Sequence, residues 1–297
     1  MCELLGMSAN VPTDICFSFT GLMQRGGKTG PHKDGWGIAF YQGKGCRSFH
    51  DPLPSAKSPI ADLLNHYPIK SRTVISHIRQ ATHGKVCLEN THPFIRELWG
   101  RPWCFAHNGK LPGVKKRTLS YYKPIGTTDS EYAFCWLLGE IRKRWPQRPP
   151  RWRTLHRYIE RLSQDLATHG TFNMLLSDAQ RMYCFCTTYL CWLTRKAPFK
   201  QASLIDAEMT VNFKEVTSEK DIVTVIATHP LTVHEQWTPF RKRHLYTFKD
   251  GLCISCNQLQ ASVLPFVTDQ VKKDVHVDSG KNTTTHDTLV EESRASL

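Results

Sequence analysis

Two helical stripes in the middle of the chain, with short strand-like runs on both sides, most constrain its fold. The first begins at a capping-box pair, Thr128 and Glu131, and continues through Phe134, Leu137, Leu138 and Ile141. The second runs through Leu155, Tyr158, Ile159, Leu162 and Leu166 and ends at Gly170. Further helices are predicted at 13–24 and 60–67, and strands at 38–41, 74–78, 103–106, 172–176, 182–187, 190–194, 223–228 and 245–248. Because strands and helices do not alternate, the pattern predicts an α+β protein with antiparallel sheets.

The chain shows no sign of membrane insertion or secretion. No run of 18 apolar residues occurs, and the first five residues lack the basic and apolar regions of a signal peptide. Eleven cysteines without a secretion signal indicate reduced thiols and not a disulfide framework. We therefore expect a cytoplasmic location.

The composition changes near residue 265. Residues 265–297 contain many threonines and few large apolar side chains, so they cannot bury enough apolar surface to offset the entropy of ordering. We expect one domain over residues 2–264, followed by a disordered C-terminal tail over 265–297.

Positive charge is concentrated in one stretch. The formal net charge is +13, and residues 141–161 hold eight Lys/Arg and one acid, Glu160. Trp145 and Trp152 lie among them, a combination compatible with nucleic-acid binding. The simpler interpretation, which we favour from sequence, is a solvated loop between two helices with arginine-rich flanks.

Cys2 is the most reactive candidate in the chain. Methionine is removed efficiently before small residues such as cysteine, which would place a thiol and a free α-amine on the same residue. An unperturbed α-amine has a pKa of about 7.7–8.0 and a thiol about 8.5. The amine can therefore act as a base for its own thiol, as in nucleophiles activated by an N-terminal amine.

Three further motifs accompany Cys2: Arg79-Gln80-Ala81-Thr82-His83-Gly84, His107-Asn108-Gly109, and Thr128-Asp129-Ser130-Glu131. In this order they resemble the class II (N-terminal nucleophile) glutamine amidotransferases. Segments 1–8, 32–37, 89–94 and 223–228 are similar to the stand-alone YafJ-type branch of that family. The resemblance covers about residues 1–250 and implies an Ntn-hydrolase fold, an αββα sandwich of two antiparallel sheets between helical layers.

The resemblance also implies a mechanism that needs no cofactor or metal. Cys2 would attack the γ-amide carbon of glutamine, release ammonia and form a γ-glutamyl thioester that water hydrolyses. Asn108, through its side-chain amide, and Gly109, through its backbone N–H, would form the oxyanion hole. A tetrahedral oxyanion needs such convergent donors.

The remaining motif residues would recognise the amino acid itself. By the same resemblance, Arg79 would bind the α-carboxylate, Asp129 the α-ammonium, and Thr82 and His83 would complete the pocket. A zwitterion requires one fixed cation and one fixed anion, which this set supplies. Gln80 stands where many relatives have tryptophan, so the sequence leaves that wall of the pocket undefined.

Several other functional interpretations stay open from the sequence. A γ-glutamyl hydrolase acting on a peptide or thiol conjugate would use the same residues, and a papain-like hydrolase would need an internal cysteine. A non-enzymatic protein could bind nucleic acid or act as a scaffold through residues 141–161. A separate acceptor or synthase protein is a possible partner.

Two further groups of residues have no role in this mechanism. Cys253 and Cys256 have metal or redox spacing without a second ligand pair. Four histidines are interpreted as structural: His32, His77, His92 and His107.

Overall fold

The computed structural model describes residues 2–67, 69–81 and 84–255. Its five helices in this part of the chain are α1 (Cys16–Arg25), α2 (Pro59–His66), α3 (Asp129–Arg144), α4 (Trp152–Leu166) and α5 (Phe213–Val216). Three short 3₁₀ turns lie at Ser55–Lys57, Leu88–Asn90 and Val114–Lys116. Thr82, His83, Cys256 and the expected tail 265–297 lie outside the described residues, so the predictions made for them stay predictions.

Sixteen strands are found in the same part of the chain. They are β1 (Glu3–Asp14), β2 (Trp36–Gln42), β3 (Gly45–Asp51), β4 (Lys70–Ile78), β5 (Phe94–Leu98), β6 (Arg101–Lys110), β7 (Thr171–Ser177), β8 (Met182–Phe185), β9 (Cys191–Arg195), β10 (Gln201–Leu204), β11 (Thr210–Asn212), β12 (Val223–Ala227), β13 (Thr232–Val233), β14 (Thr238–Pro239), β15 (Leu245–Lys249) and β16 (Leu252–Cys253).

The strands form two large antiparallel sheets and one small one. The seven-stranded sheet has the order β14-β9-β12-β1-β4-β2-β3, and the six-stranded sheet has the order β16-β15-β8-β7-β6-β5. A three-stranded sheet, β11-β10-β13, stands apart. Within the large sheets, β1 lies centrally between β12 and β4, and β6 pairs with β5 and β7.

Three hydrophobic clusters define the layers. One packs α1 and α2 on the seven-stranded sheet, with Phe19 and Trp36 at its centre. A second packs α3 and α4 on the six-stranded sheet, with Phe105 and Phe134 stacked at 4.9 Å. The third fills the space between the two sheets. The order helix, sheet, sheet, helix confirms the expected αββα sandwich.

The main differences from the sequence predictions lie at the N-terminus. A helix was predicted from residue 13, but β1 continues to Asp14 and α1 begins only at Cys16. Asp14 separates the two elements because its carboxylate accepts a 2.7 Å hydrogen bond from the Cys16 N–H. At α3, Thr128 caps the Glu131 N–H at 3.1 Å, as predicted. In a capping box the Glu131 carboxylate would accept from the Thr128 N–H. Here it accepts from the backbone N–H groups of Ile125 and Gly126.

No helix in the described residues is long and apolar enough to cross a bilayer. The nine described cysteines other than Cys253 are free thiols, as expected, but Cys253 is disulfide-bonded, so the expectation that all eleven cysteines are reduced was wrong at this position. The cytoplasmic location stays a prediction.

Candidate active site

Cys2 lies on the side of β1 that faces the six-stranded sheet. Leu5 and Met7 pack toward the helices, whereas Leu4 belongs to the core between the sheets. Side chains alternate along a strand, so Cys2, two residues before Leu4, projects toward the same inter-sheet space. Glu3 points to the opposite, helical side, where it meets α1.

Arg79 and Asn108 project toward this space from two other strands. Ile75 of β4 belongs to the inter-sheet core, so His77 and Arg79 share its face. Ala106 of β6 belongs to the same core, which places Asn108 on the inter-sheet face of its strand. Both β1 and β4 contact β6 across the sandwich. The fold therefore brings Cys2, Arg79 and Asn108 to one end of the inter-sheet space.

The Cys2 thiol contacts the backbone of Gln80. Its Sγ lies 3.4 Å from the Gln80 nitrogen, which donates to it, and 3.6 Å from the Gln80 carbonyl oxygen. Burial raises the pKa of this thiol above its ordinary value, although the hydrogen bond from Gln80 acts in the opposite direction. The contact uses only backbone atoms of residue 80. It therefore does not depend on whether that residue is glutamine, as here, or tryptophan, as in many relatives.

Asp34 and Gly35 hold the segment that surrounds the thiol. The Asp34 carboxylate accepts a 2.6 Å hydrogen bond from the Ala81 N–H, and its own N–H donates to the Arg79 carbonyl at 3.1 Å. The Arg79 N–H donates to the Gly35 carbonyl at 2.8 Å. Gly35 has φ +105°, and an added Cβ would lie 3.0 Å from the Asp51 carbonyl oxygen. This turn therefore fixes the backbone on both sides of Gln80.

Asn108 is buried and its side-chain amide is unpaired. Its exposed fraction is 1%, and neither Oδ1 nor Nδ2 has a hydrogen-bond partner among the described residues. Its backbone is firmly held, because Asn173 Nδ2 donates to the Asn108 carbonyl at 3.0 Å. An unsatisfied buried amide costs free energy, about 1–3 kcal/mol. Such an amide at the edge of the core is typical of a group kept for a ligand.

Gly109 continues strand β6, although the dipeptide Asn108-Gly109 is common in turns. The strand extends to Lys110, and Gly109 pairs with Phe172 of β7. A Cβ at this position would collide with the Thr171 carbonyl oxygen and lie 2.8 Å from Nε2 of His107. Glycine is required here by close packing of two backbones.

Asp129 and Gly109 line one pocket of about 690 Å³, within the usual size range of ligand sites. Gly84, Thr127 and Thr128 form other parts of its wall. One Asp129 oxygen accepts from the Leu111 N–H at 2.7 Å, and the other accepts from the Ser130 N–H at 2.9 Å. Each oxygen keeps a second lone pair for a ligand. Cys2, Arg79 and Asn108 are not among the wall residues of this pocket.

Arg79 is tied to the Asp129 side of the site through Asn90. The guanidinium is 4% exposed and its Nη1 donates to the Lys85 carbonyl at 3.1 Å. Asn90 Nδ2 donates to the same carbonyl at 3.1 Å, and Asn90 Oδ1 accepts from the Thr127 N–H at 2.7 Å. Thr127 precedes the start of α3. Asn90 thus links the Lys85 carbonyl, which also binds Arg79, to the segment that precedes α3.

The buried histidines near the site are neutral. His77 and His92 pack against each other with their ring centroids 4.2 Å apart and the rings tilted by 37°. Burial lowers the pKa of His77 to about 3 and that of His92 well below its ordinary value. Their ring nitrogens have no hydrogen-bond partner among the described residues. His107 links β6 to α3 through Ser130 Oγ at 2.8 Å and contacts the Thr171 carbonyl at 3.1 Å.

The residue after Cys2 anchors the N-terminus to three other segments. Glu3 pairs with Arg25 at 3.2 Å and with His229 at 2.9 Å, and Arg25 also pairs with Asp206 at 2.7 Å. Burial alone would raise the pKa of Glu3, but the His229 hydrogen bond and the Arg25 charge outweigh it and lower that pKa. The network holds β1 immediately next to the thiol.

A family model described as class-II glutamine amidotransferases matches residues 1–269. The chain belongs to the class II glutamine amidotransferases. It is 59% identical over 237 residues to "Putative glutamine amidotransferase YafJ" of Escherichia coli (strain K12), a match that covers 80% of this chain and 93% of that protein. The resemblance to the YafJ-type branch is confirmed.

Two further proteins that this amidotransferase resembles are also described as glutamine amidotransferases. A Haemophilus influenzae protein named "Putative glutamine amidotransferase" is 45% identical over 251 residues, covering 84% of this chain and 85% of that protein. The 2.0 Å crystal structure of a predicted glutamine amidotransferase from Pseudomonas aeruginosa PA01 has a TM-score of 0.68 at 49% identity. That match covers 85% of this chain and 99% of that one.

Sequence reasoning missed the residues that hold the amidotransferase site in place. Asp34 and Asn90 lie in segments 32–37 and 89–94, whose resemblance to the family was noted without giving either residue a role. Asn173 had a local signal, because it is an amide inside the apolar run 172–176. Arg25 and His229 had none, since they meet Glu3 only through the tertiary fold.

Proposed function

We propose that this protein is a glutamine amidotransferase with glutaminase activity, in which Cys2 becomes the nucleophile once Met1 is removed. The buried, unpaired amide of Asn108, on the same side of the sandwich as the thiol, is the observation that carries the proposal. The Cys2 sulfur would attack the γ-carbonyl carbon, expel ammonia and leave a γ-glutamyl thioester. Water would then cleave the thioester to glutamate and regenerate the thiol.

The raised pKa of the Cys2 thiol makes a local base necessary, because little thiolate forms unaided at neutral pH. The α-amine exposed by Met1 removal would take the thiol proton as sulfur attacks carbon, then deliver it to the departing nitrogen. An α-amine with a pKa of about 7.7–8.0 suits both transfers. His77 is a weak base by comparison, since its pKa is about 3.

The tetrahedral intermediate carries a negative oxygen that needs two donors. In the proposed arrangement, Asn108 Nδ2 and the Gly109 N–H supply them. Asn108 is already desolvated and its carbonyl is held by Asn173, so little reorganisation is needed. Preorganised donors of this kind are worth about 2.7–4 kcal/mol each in the transition state.

Arg79 and Asp129 would bind the two charges of the α-amino acid. The planar Arg79 guanidinium suits a carboxylate, and Asp129 has lone pairs left for an ammonium. Asn90 links the backbone segments next to these two residues, at Lys85 and Thr127. Thr82 and His83 are proposed to complete this pocket.

Ammonia release from glutamine by Met1-processed protein tests the proposal. Intact mass confirms that Met1 is absent, and coupled glutamate dehydrogenase measures ammonia. A Cys2→Ala variant and a protein with an uncleaved N-terminal tag should both be inactive. An active tagged protein, verified by mass, would eliminate the α-amine as base.

Substrate comparison separates the proposal from the γ-glutamyl hydrolase alternative. Glutamine and a γ-glutamyl peptide share the end that Arg79 and Asp129 would recognise. A higher kcat/KM for the peptide than for glutamine would favour the hydrolase. Water would take the γ-glutamyl group in either case, and a separate acceptor or synthase protein would take the ammonia that the isolated protein releases into solution.

A further inference from the structure

A basic surface lies at the far end of α3 from the candidate site. It consists of Arg142, Lys143, Arg144, Arg148, Arg151, Arg153, Arg157 and Arg161, all but Arg142 exposed. The sequence favoured a solvated loop here, but only residues 145–151 connect the helices, and six of the eight basic residues lie on α3 or α4. The charge is therefore mounted on rigid elements.

This charge is uncompensated. None of the eight residues forms an ion pair within the described part of the chain, whereas Arg25, Arg96, Arg117 and Arg195 all do. Glu160, the single acid in the stretch, accepts a hydrogen bond from the Leu245 N–H at 3.1 Å. Clustered like charges repel one another and destabilise the folded state, so an unpaired cluster favours an anionic partner.

The cations on α4 form a row. Arg153, Arg157 and Arg161 are spaced four residues apart, which places them on one helix face with about 6 Å of rise per step. The basic loop 241–243 (Arg-Lys-Arg) lies next to α4, because Gln164 Nε2 donates to the Arg243 carbonyl at 3.4 Å. All three loop residues are exposed.

Aromatic rings hold several of the guanidinium groups. Arg144 and Arg161 both lie over the Tyr158 ring, at 5.1 and 4.9 Å from its centroid, and Arg153 lies over Trp152 at 5.5 Å. A stacked guanidinium keeps its N–H edge free for oxygen ligands. The rings themselves are partly buried, so they offer no open platform for stacking nucleobases.

The scarcity of exposed apolar side chains near the basic surface indicates which anionic partner it can bind. Tyr121 is exposed and lies under Arg142, and none of the other exposed large apolar residues in the described chain falls within residues 141–166. Membrane-binding faces and protein interfaces both need apolar side chains at their centre. A phosphodiester backbone needs only spaced cations, and arginine, seven of the eight here, matches phosphate geometry.

We propose that this basic surface binds the phosphodiester backbone of nucleic acid without sequence preference. The surface is separate from the candidate site: Asp129 begins α3 and Arg144 ends it, about 22 Å apart along the helix. Nucleic-acid binding and ammonia release are therefore independent properties of the chain.

The test is fluorescence anisotropy with a labelled 20-nucleotide U-rich RNA and a 20-base-pair DNA duplex, between 50 and 200 mM salt. The variant Arg153→Gln/Arg157→Gln/Arg161→Gln removes the row on α4. Its matched control, Arg47→Gln/Lys70→Gln/Arg72→Gln, removes three exposed cations from β3 and β4. Both variants change the net charge equally.

We expect the α4 variant to bind the RNA about 10- to 100-fold more weakly at 100 mM salt. The slope of log K against log salt should become shallower by about 2, since each lost phosphate contact removes about 0.7 on a single strand. The control should keep the wild-type slope. Comparing RNA with duplex identifies the preferred form, and circular dichroism checks that α4 is retained.

Three outcomes would overturn the proposal. No binding of either probe at 50 mM salt would do so, as would an equal loss in both variants, which would mean attraction by net charge alone. Tight binding of polyglutamate with the same sensitivity to the α4 variant would point to an acidic protein instead. Ammonia release should be unchanged in the α4 variant, so this test does not depend on the proposed catalytic function.

Discussion

Two buried asparagines, Asn108 and Asn173, face each other on β6 and β7 and differ in the hydrogen bonding of their side-chain amides. The Asn108 side chain makes no hydrogen bond among the described residues. The Asn173 side chain makes four, donating to the Asn108 carbonyl and Thr188 Oγ1 and accepting from the N–H groups of Thr187 and Thr188. Replacing each by alanine therefore separates a catalytic amide from a structural one.

The two substitutions have opposite expected effects on stability. Asn108→Ala removes an unsatisfied buried amide and breaks no bond of the resting fold, so the Tm should stay within about 3 °C of wild type or rise. Asn173→Ala removes the side-chain partner of two part-buried N–H groups and of the buried Asn108 carbonyl, at about 3 kcal/mol. At about 2–4 °C per kcal/mol, that is a fall of about 6–12 °C.

The effect on catalysis is where Asn108 should matter. If Nδ2 stabilises the oxyanion, Asn108→Ala should lower kcat about 10²–10³-fold with a smaller change in KM. The assay is ammonia release on Met1-processed protein, with thermal unfolding by circular dichroism on the same samples. A near wild-type kcat would remove Asn108 from the oxyanion hole. A Tm loss equal to that of Asn173→Ala would show that its role is structural.

Four further predictions concern recognition, positioning and the tail. Arg79→Lys and Asp129→Asn should slow labelling of Cys2 by the glutamine analogue diazo-oxo-norleucine at least tenfold while leaving alkylation by iodoacetamide intact; wild-type labelling rates would exclude these residues from glutamine binding. Asn90→Ala should lower kcat/KM for glutamine about tenfold because it frees Thr127 from Lys85; a wild-type kcat/KM would deny Asn90 a positioning role. The lowered pKa of Glu3 stabilises the fold above the unfolded pKa of about 4.3 and ceases to do so as the pH falls through the folded value. Glu3→Gln should therefore cost about 3 kcal/mol in urea unfolding at pH 7, and this cost should fall by up to about 1.4 kcal/mol per pH unit below a pH of about 4.3; a pH-independent loss would contradict the pairing. Deleting 265–297 should leave the Tm within about 2 °C, because that sequence offers little apolar surface to bury; a larger fall would mean that the segment packs on the domain.

Local signals in the sequence were enough for α3 and α4 and for the family. The caps and apolar stripes of α3 and α4 act within a few residues of each other, so their pattern is visible without the fold. The motifs around Cys2, Arg79, Asn108 and Asp129 likewise identified the family from sequence. The αββα class followed from that resemblance.

The central strand and the supports of the site depended on tertiary contacts. β1 was not predicted, because its residues 3–9 are buried on both faces and show no alternation. Met7 pairs with Val74 on one side and Val225 on the other, at sequence separations that no local pattern reveals. The same holds for Glu3, which meets His229 across the chain. The sequence by itself determined the family and the motif residues that are proposed to carry the chemistry, while the pairing of distant strands decided how they are held, because only folding brings those strands into hydrogen-bonding distance.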